Sequence, residues 1–225
     1  MGQRVPRRAR EKILELSLKL FNEFGEPNIT TTIIADEMKI SPRNLYYHFR
    51  NKDDIVNSIF VMFEEEMSCM LAVPPKERPT IQDVWNYLHL MFELIWRYRF
   101  FYRDLSDLLF RNRTLELHFK EIFGHKIKVV KQLCLDLQAE NALAANVVEI
   151  DALSTNMVVT AIYWLSYQYV LNPRQYTEHA FVENVLASGC YQVLSSMHPY
   201  LRGKTLEHFE ELTFQYVKKL TNAEL

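Results

Sequence analysis

Apolar residues return at helical spacing along nearly the whole chain. Over about 8–24, Ile13, Leu16, Leu20, Phe21 and Phe24 fall at i, i+3, i+7, i+8 and i+11, one buried arc of a helix, and Gly25 with Pro27 just beyond supplies the stop. Thr30 can cap a short second helix through Met38, after which Lys39-Ile40 turns the chain. Ser41 followed by Pro42 gives the N-cap and first-position proline of a third helix. Asn51 caps a fourth, about 52–71, and the pattern then predicts helices at roughly 80–100, 102–111, 114–139, 147–171, 178–197 and 204–221. Proline-bearing breaks fall at "AVPPKERPT" (72–80) and "LNPRQYT" (171–177). No stretch alternates as a strand does, and no internal repeat is present. The expected fold is all-α, with a helical head over 1–51, a connecting helix over 52–71 and a larger helical bundle completing 52–225.

The third helix is the most informative. Advancing about 100° per residue from Pro42 gathers Leu45, Tyr46 and Phe49 on one side and Arg43, Asn44, Tyr47 and His48 on the other. One side packs and the other faces outward. Arginine can donate two bonds to a guanine edge and asparagine can bond adenine bidentately, whereas tyrosine, histidine and lysine suit phosphates. Short helix, tight turn, short helix is the helix-turn-helix order, in which the second member enters the major groove of double-stranded DNA. A solvated face on a helical hairpin is the plainer reading of the same periodicity.

Charge adds to this only locally. The 225 residues carry a net charge of −2, but residues 1–60 hold ten Lys/Arg against eight Asp/Glu, and Arg4, Arg7, Arg8, Arg10 and Lys12 precede the first apolar arc. Such a basic arm commonly meets phosphate, and a solvated tail is the alternative. Cys69, Cys134 and Cys190 are far apart and lack C-x-x-C spacing, and no signal-peptide core opens the chain, so a reducing cytoplasm is expected. The apolar stretch from Met157 to Leu171 is interrupted by Thr160, Ser166 and Gln168, which argues against a membrane span.

"TTTIIADEMKISPRNLYYHFRNKDDIV" resembles the N-terminal signature of the tetracycline-repressor (TetR) family of bacterial transcriptional regulators. The matching positions are Thr30, Ile34-Ala35, Ile40-Ser41, Leu45-Tyr46, Phe49 and Lys52, with Leu20-Phe21 and Phe24-Gly25 closing the first helix. The resemblance covers about 10–56; beyond it the chain is similar in length and helical character. It implies that Thr31 and Thr32 touch phosphates, that Pro42, Arg43 and Asn44 face base edges, and that Tyr47, His48 and Lys52 clamp the DNA backbone. Two positions depart from the family pattern. Lys39 stands where the turn usually has glycine, so the turn is strained if its φ is positive. Arg43 stands where glycine is frequent, adding a long donor expected to read a guanine.

The body is rich in rings, among them Trp85, Phe92, Trp96, Phe119, Phe123, Trp164 and Tyr167, which ordinarily form core. Bulky rings between helices also build pockets for apolar small molecules. The resemblance makes this body an inducer-binding domain, with Phe92, Trp96, Phe123, Trp164 and Tyr167 as walls because their helices correspond in order, and a largely apolar inducer follows. His118, Glu121 and His125 share a helix face at i, i+3 and i+7, but no second helix offers a matching ligand, so a solvated polar stripe and no metal are expected. No cofactor is expected either. A Glu-x-x-His pair on two helices, a glycine-rich phosphate loop and a nucleophile elbow are all missing, which argues against an enzyme.

One short reading helix touches few bases, so two heads on a near-palindromic operator, hence a homodimer, are expected. The last two helices carry Phe181, Val185, Leu186, Val193, Leu194, Leu206, Phe209, Leu212, Phe214, Tyr216 and Val217, enough apolar surface to form the dimer contact that the resemblance implies. The sequence thus points to a ligand-responsive repressor released from DNA by a small inducer. The competing readings are a ligand carrier or scaffold that kept a degenerate helix-turn-helix, and a helical-bundle enzyme.

Overall fold

The computed structural model describes residues 4–72, 80–174 and 179–223, without the side chains of 4–7, 179–180 and 217–223. Residues 73–79 of the first proline-bearing break and 175–177 of the second, the side chains of Arg4 and Arg7, and that of Val217 therefore lie outside the described residues. The helices are α1 (Arg4–Phe24), α2 (Thr31–Glu37), α3 (Pro42–His48), α4 (Lys52–Ala72), α5 (Ile81–Arg97), α6 (Arg99–Arg103), α7 (Leu105–Arg111), α8 (Arg113–Ala139), α9 (Val147–Leu171), α10 (His179–Ser195) and α11 (Gly203–Ala223). Short 3-10 turns occupy Glu26–Asn28 and His198–Tyr200. Among the described residues the only β pairing is the isolated bridge Leu143–Leu201.

The chain folds into two compact units, one of Met1–Glu66 with Tyr98–His118, the other of Met67–Arg97 with Phe119–Leu225. In the first, Ile13, Phe21, Ile34, Ala35, Leu45 and Phe49 form the buried centre of the three-helix head. The predicted caps are in place: Thr30 Oγ1 accepts the Ile33 amide at 3.2 Å, Ser41 Oγ accepts that of Asn44 at 3.2 Å, and Asn51 Oδ1 accepts that of Asp54 at 2.8 Å.

Two expectations need correction. The basic segment is not an arm, because α1 is already helical from Arg4. Arg10 within it is bound into the head, its guanidinium 2.9 Å from Ser58 Oγ and 4.9 Å above the Phe49 ring. The helix expected over 80–100 also ends early, at Arg97, and a new one starts at Arg99. The break has a tertiary cause. Tyr98, Phe100, Phe101 and Tyr102 are all buried, which one continuous helical face could not achieve, and Asn22 Oδ1 accepts the Phe100 amide at 3.1 Å. Phe63 lies 5.4 Å from Tyr98, and Phe60 lies 5.5 Å from Phe101 in an edge-on contact.

Lys39 sits at φ 54°, in the left-handed region that glycine occupies most easily. Replacing it, Lys39→Gly, is expected to stabilise the head by a few tenths to about 1 kcal/mol, the relief of Cβ crowding being partly offset by extra freedom in the unfolded chain. A urea midpoint that stays put or falls would show that the turn is unstrained.

In the second unit, α5, α9, α10, α11 and the later part of α8 pack as a bundle. Asn146 and Glu149 form a reciprocal capping box at the start of α9. Gly189 of α10 faces Phe92 of α5 and Trp164 of α9, and the Trp164 indole donates to the Val185 carbonyl at 2.9 Å.

Candidate DNA-reading surface and ligand cavity

Leu45 of α3 and Phe49 just after it face the head's core, while Pro42, Arg43, Asn44 and Tyr47 are exposed and His48 is half-buried. The Tyr47 ring, 78 % exposed, lies edge-on to His48 at 5.1 Å. Thr32 is exposed and Thr31 half-buried at the start of α2. These seven expected contact residues therefore lie on the two helices of the motif.

Tyr46 was expected on the packing side and is not there. It is half exposed, and its hydroxyl lies 3.0 Å from Thr31 Oγ1. Leu45 and Phe49, spaced i and i+4, already fill the narrow seam, and a phenol gains more from a polar partner at the rim. The pair links the first turn of α2 to α3.

Lys52, the eighth expected contact, turns inward. Its ammonium donates to the Glu26 carbonyl at 3.0 Å and lies 2.9 Å from Glu26 Oε1, at an angle that makes this an ion pair without a hydrogen bond. Glu26 is fully buried, and its other oxygen accepts from Arg111 at 2.7 Å. Hydrogen bonds to Asp107 and then Glu26 hold the Arg111 pKa above its ordinary value. Beside this network the Glu26 amide donates to Asp104 Oδ2 at 3.0 Å, and Arg103 donates to the Phe21 and Asn22 carbonyls at 2.7 and 3.2 Å. The carbonyl end of α1 is thus closed by a cation from α6. No sequence pattern pointed to Glu26, Arg103 or Arg111.

The second unit contains a cavity lined by α4, α5, α8, α9 and α10, including Leu71, Leu88, Met91, Leu133, Met157 and Val193. Its free space is ≈ 550 Å³ counting its mouth. The surface it presents is carbon, with Lys126 and Tyr87 the two polar residues on its lining. Burial pushes the Tyr87 phenol up to about 12, and its hydroxyl donates to the Met70 carbonyl at 3.4 Å. Lys126 is 2 % exposed, and burial draws its ammonium down to about 7.

None of the five aromatic residues expected as walls lines this cavity. Phe92 is core against Gly189, Trp164 stacks obliquely on the half-exposed Tyr167 at 5.5 Å, Phe123 packs on Phe119 at 5.6 Å, and Trp96 is half-buried. Large rings fill space; the smaller aliphatic side chains leave it. His118 Nδ1 lies 2.6 Å from Glu64 Oε1, and no group of three potential ligands is disposed for a metal among the described residues. No helix among them is long and apolar enough to cross a membrane.

A head with an outward-facing reading helix, together with a helical body enclosing an apolar cavity, defines a one-chain sensor and DNA binder. Comparison with known proteins agrees. Residues 13–59 match the pattern of bacterial regulatory proteins of the tetR family, and residues 62–209 match that of a bacterial transcriptional repressor, TetR. A TetR-family transcriptional regulator from Marinobacter aquaeolei VT8 is 35 % identical, with a TM-score of 0.80 over 92 % of this chain and 98 % of that one. A putative transcriptional regulator from Saccharomonospora viridis, solved in complex with choline, shares the fold at 17 % identity and a TM-score of 0.63, covering 88 % of this chain and 100 % of its own. Salmonella enterica GusR does so at 15 % identity and 0.57, covering 88 % and 99 %. No curated protein sequence matches the chain. The chain belongs to the TetR family of bacterial transcriptional regulators and is a ligand-responsive, DNA-binding regulator.

Proposed function

We propose that this regulator works in the cytoplasm, without catalysis, as a homodimeric repressor that occupies a near-palindromic operator until a small, largely apolar inducer enters the second unit. The observation that carries the DNA half is α3: two apolar side chains anchor it while Arg43, Asn44 and Tyr47 stand free. Arg43 and Asn44, with Pro42 beside them, take the base edges; Thr31, Thr32, Tyr47 and His48 take phosphates. Lys52 acts one step back, holding Glu26 and so the start of α4.

Dimerisation is supported by apolar surface left over within one chain. Val185, Leu186, Val193, Leu194, Phe209 and Tyr216 of the last two helices are consumed by their own fold, but Phe214 is 71 % exposed. On α9, Val159, Tyr163, Tyr167 and Val170 form a second exposed stripe at helical spacing. A second copy covering both would extend the expected C-terminal contact onto α9.

Coupling runs through covalent continuity. α4 begins beside the head and ends with Leu71 on the cavity, so a ligand there biases a helix whose first turn is tied to Glu26. The inducer releases DNA only as far as it prefers the DNA-incompetent arrangement.

Selection of bound fragments from a random DNA pool, followed by mobility shifts, tests the reading. Arg43→Ala is expected to cost about 1–3 kcal/mol of discrimination at one guanine position. Equal losses on selected and scrambled DNA would reduce Arg43 to a phosphate contact, and failure of the wild type to shift any fragment at modest salt would remove the function.

A further inference from the structure

We infer that the inducer is an electrically neutral, hydrocarbon-bodied molecule, and that the cavity of the second unit selects it by withholding hydrogen-bonding groups, so that a carboxylate, ammonium or hydroxyl carried inside finds no partner. This rests on the reading of that cavity as the ligand site.

Ligand pockets ordinarily combine an apolar lining with a few polar groups placed to orient the guest. Here the exposed surface is carbon throughout, although two of the lining residues carry polar ends. Each end is directed elsewhere. Tyr87 turns its hydroxyl to the Met70 carbonyl of α4 at 3.4 Å. Lys126 gives the wall its methylene stem, while its ammonium is engaged in an interaction of its own and does not reach the cavity surface. Every other lining residue is a valine, leucine, methionine or alanine.

The energetic consequence is a filter. A hydroxyl taken from water into such a lining gives up its hydrogen bonds with nothing in return, and an ionised group of either sign loses far more. Apolar surface, by contrast, is favoured there in proportion to the area withdrawn from water. Discrimination is therefore set by polarity before shape. Met91 and Met157, unbranched and flexible, let the wall adapt to hydrocarbon guests of different outline without offering any of them a strong donor or acceptor.

The test uses the full-length protein and a set of guests of nearly one shape at neutral pH: ethylcyclohexane, cyclohexylmethanol, cyclohexylmethylamine and cyclohexanecarboxylate, the last two ionised. Binding is followed by the methionine methyl signals of carbon-13-labelled protein, in which Met91 and Met157 line the cavity and Met62 of the first unit is the control. Ethylcyclohexane is expected to move the Met91 and Met157 signals and to bind on the order of tenfold or more tighter than the alcohol, the scale on which an apolar pocket discriminates against an added hydroxyl. Neither ion is expected to move them at the same concentrations. Alcohol bound as tightly as hydrocarbon, or either ion bound, overturns the neutral-hydrocarbon assignment and leaves the cavity as ligand site. Loss of such alcohol binding alone in Tyr87→Phe would then name Tyr87 as a donor to the guest. If no guest moves the Met91 and Met157 signals, both readings fall, while mobility shifts report the DNA function separately.

Discussion

Glu26→Ala is expected to lower the stability of the first unit by about 2–3 kcal/mol. Removing one partner of a buried ion pair costs about 3–5 kcal/mol, chiefly because the remaining charge stays dehydrated. The lower figure applies here because the Lys52 and Arg111 side chains are 23 % and 39 % exposed, and Arg111 keeps Asp107 at 2.8 Å. The carboxylate itself is fully buried between two cations, so its loss sets two positive groups against each other where one anion had joined them. Glu26→Gln, which can still accept from Arg111 but has no charge, should lose less. The measurement is the urea midpoint of both variants, with an unchanged slope showing that only stability moved. A shift below about 0.5 kcal/mol for the alanine variant would mean that the network is solvated and that Lys52 is free for phosphate after all.

The network also shows where the sequence stops being legible. Helix limits in the head could be read because each is set by a local device: Thr30, Ser41 and Asn51 cap the segments that follow them. Even the positive φ at Lys39 was visible as a residue standing in a glycine's place. Glu26, by contrast, reads as a surface acid beside a proline. Its partners are 26 and 85 residues further on, and nothing local announces them. The break at Tyr98 is of the same kind, since it carries neither proline nor glycine and exists because four rings need burial at once.

That none of the five expected rings lines the cavity of the second unit has a physical reason. They were expected as walls because their helices correspond in order to those of the family's inducer-binding domain, but rings pack densely and the space opened among valines, leucines and methionines. A usable signal did exist. Along α8 the buried arc runs Leu115, Phe119, Ile122, Lys126, Leu133 and Leu137, and one charged residue inside an otherwise apolar arc is the anomaly to follow. The apolar excess of the C-terminal helices was likewise legible in amount but not in destination, because helical periodicity cannot tell a face buried at home from one saved for a partner.

Gly189→Ala is expected to destabilise the second unit by about 1–3 kcal/mol, against the usual direction of that substitution. In an exposed helix alanine replaces glycine with a gain of up to about 1 kcal/mol. At this position an added Cβ would stand 2.7 Å from Phe92 Cζ and 2.7 Å from Trp164 Cδ1, closer than carbon atoms approach without displacement. Neither ring yields readily. Phe92 is buried in the core, and the Trp164 indole is tied to the Val185 carbonyl on the same helix as the glycine. Phe92→Leu removes one of the two opposing rings, so the same Gly189→Ala change should cost markedly less on that background. A double-mutant cycle from denaturant midpoints reads this as a coupling of about 1 kcal/mol or more. Additive effects, or a wild-type background stabilised by Gly189→Ala, would show that α5 and α9 move apart easily at this crossing, and the tight helix packing that shapes the neighbouring bundle would then have to lie elsewhere.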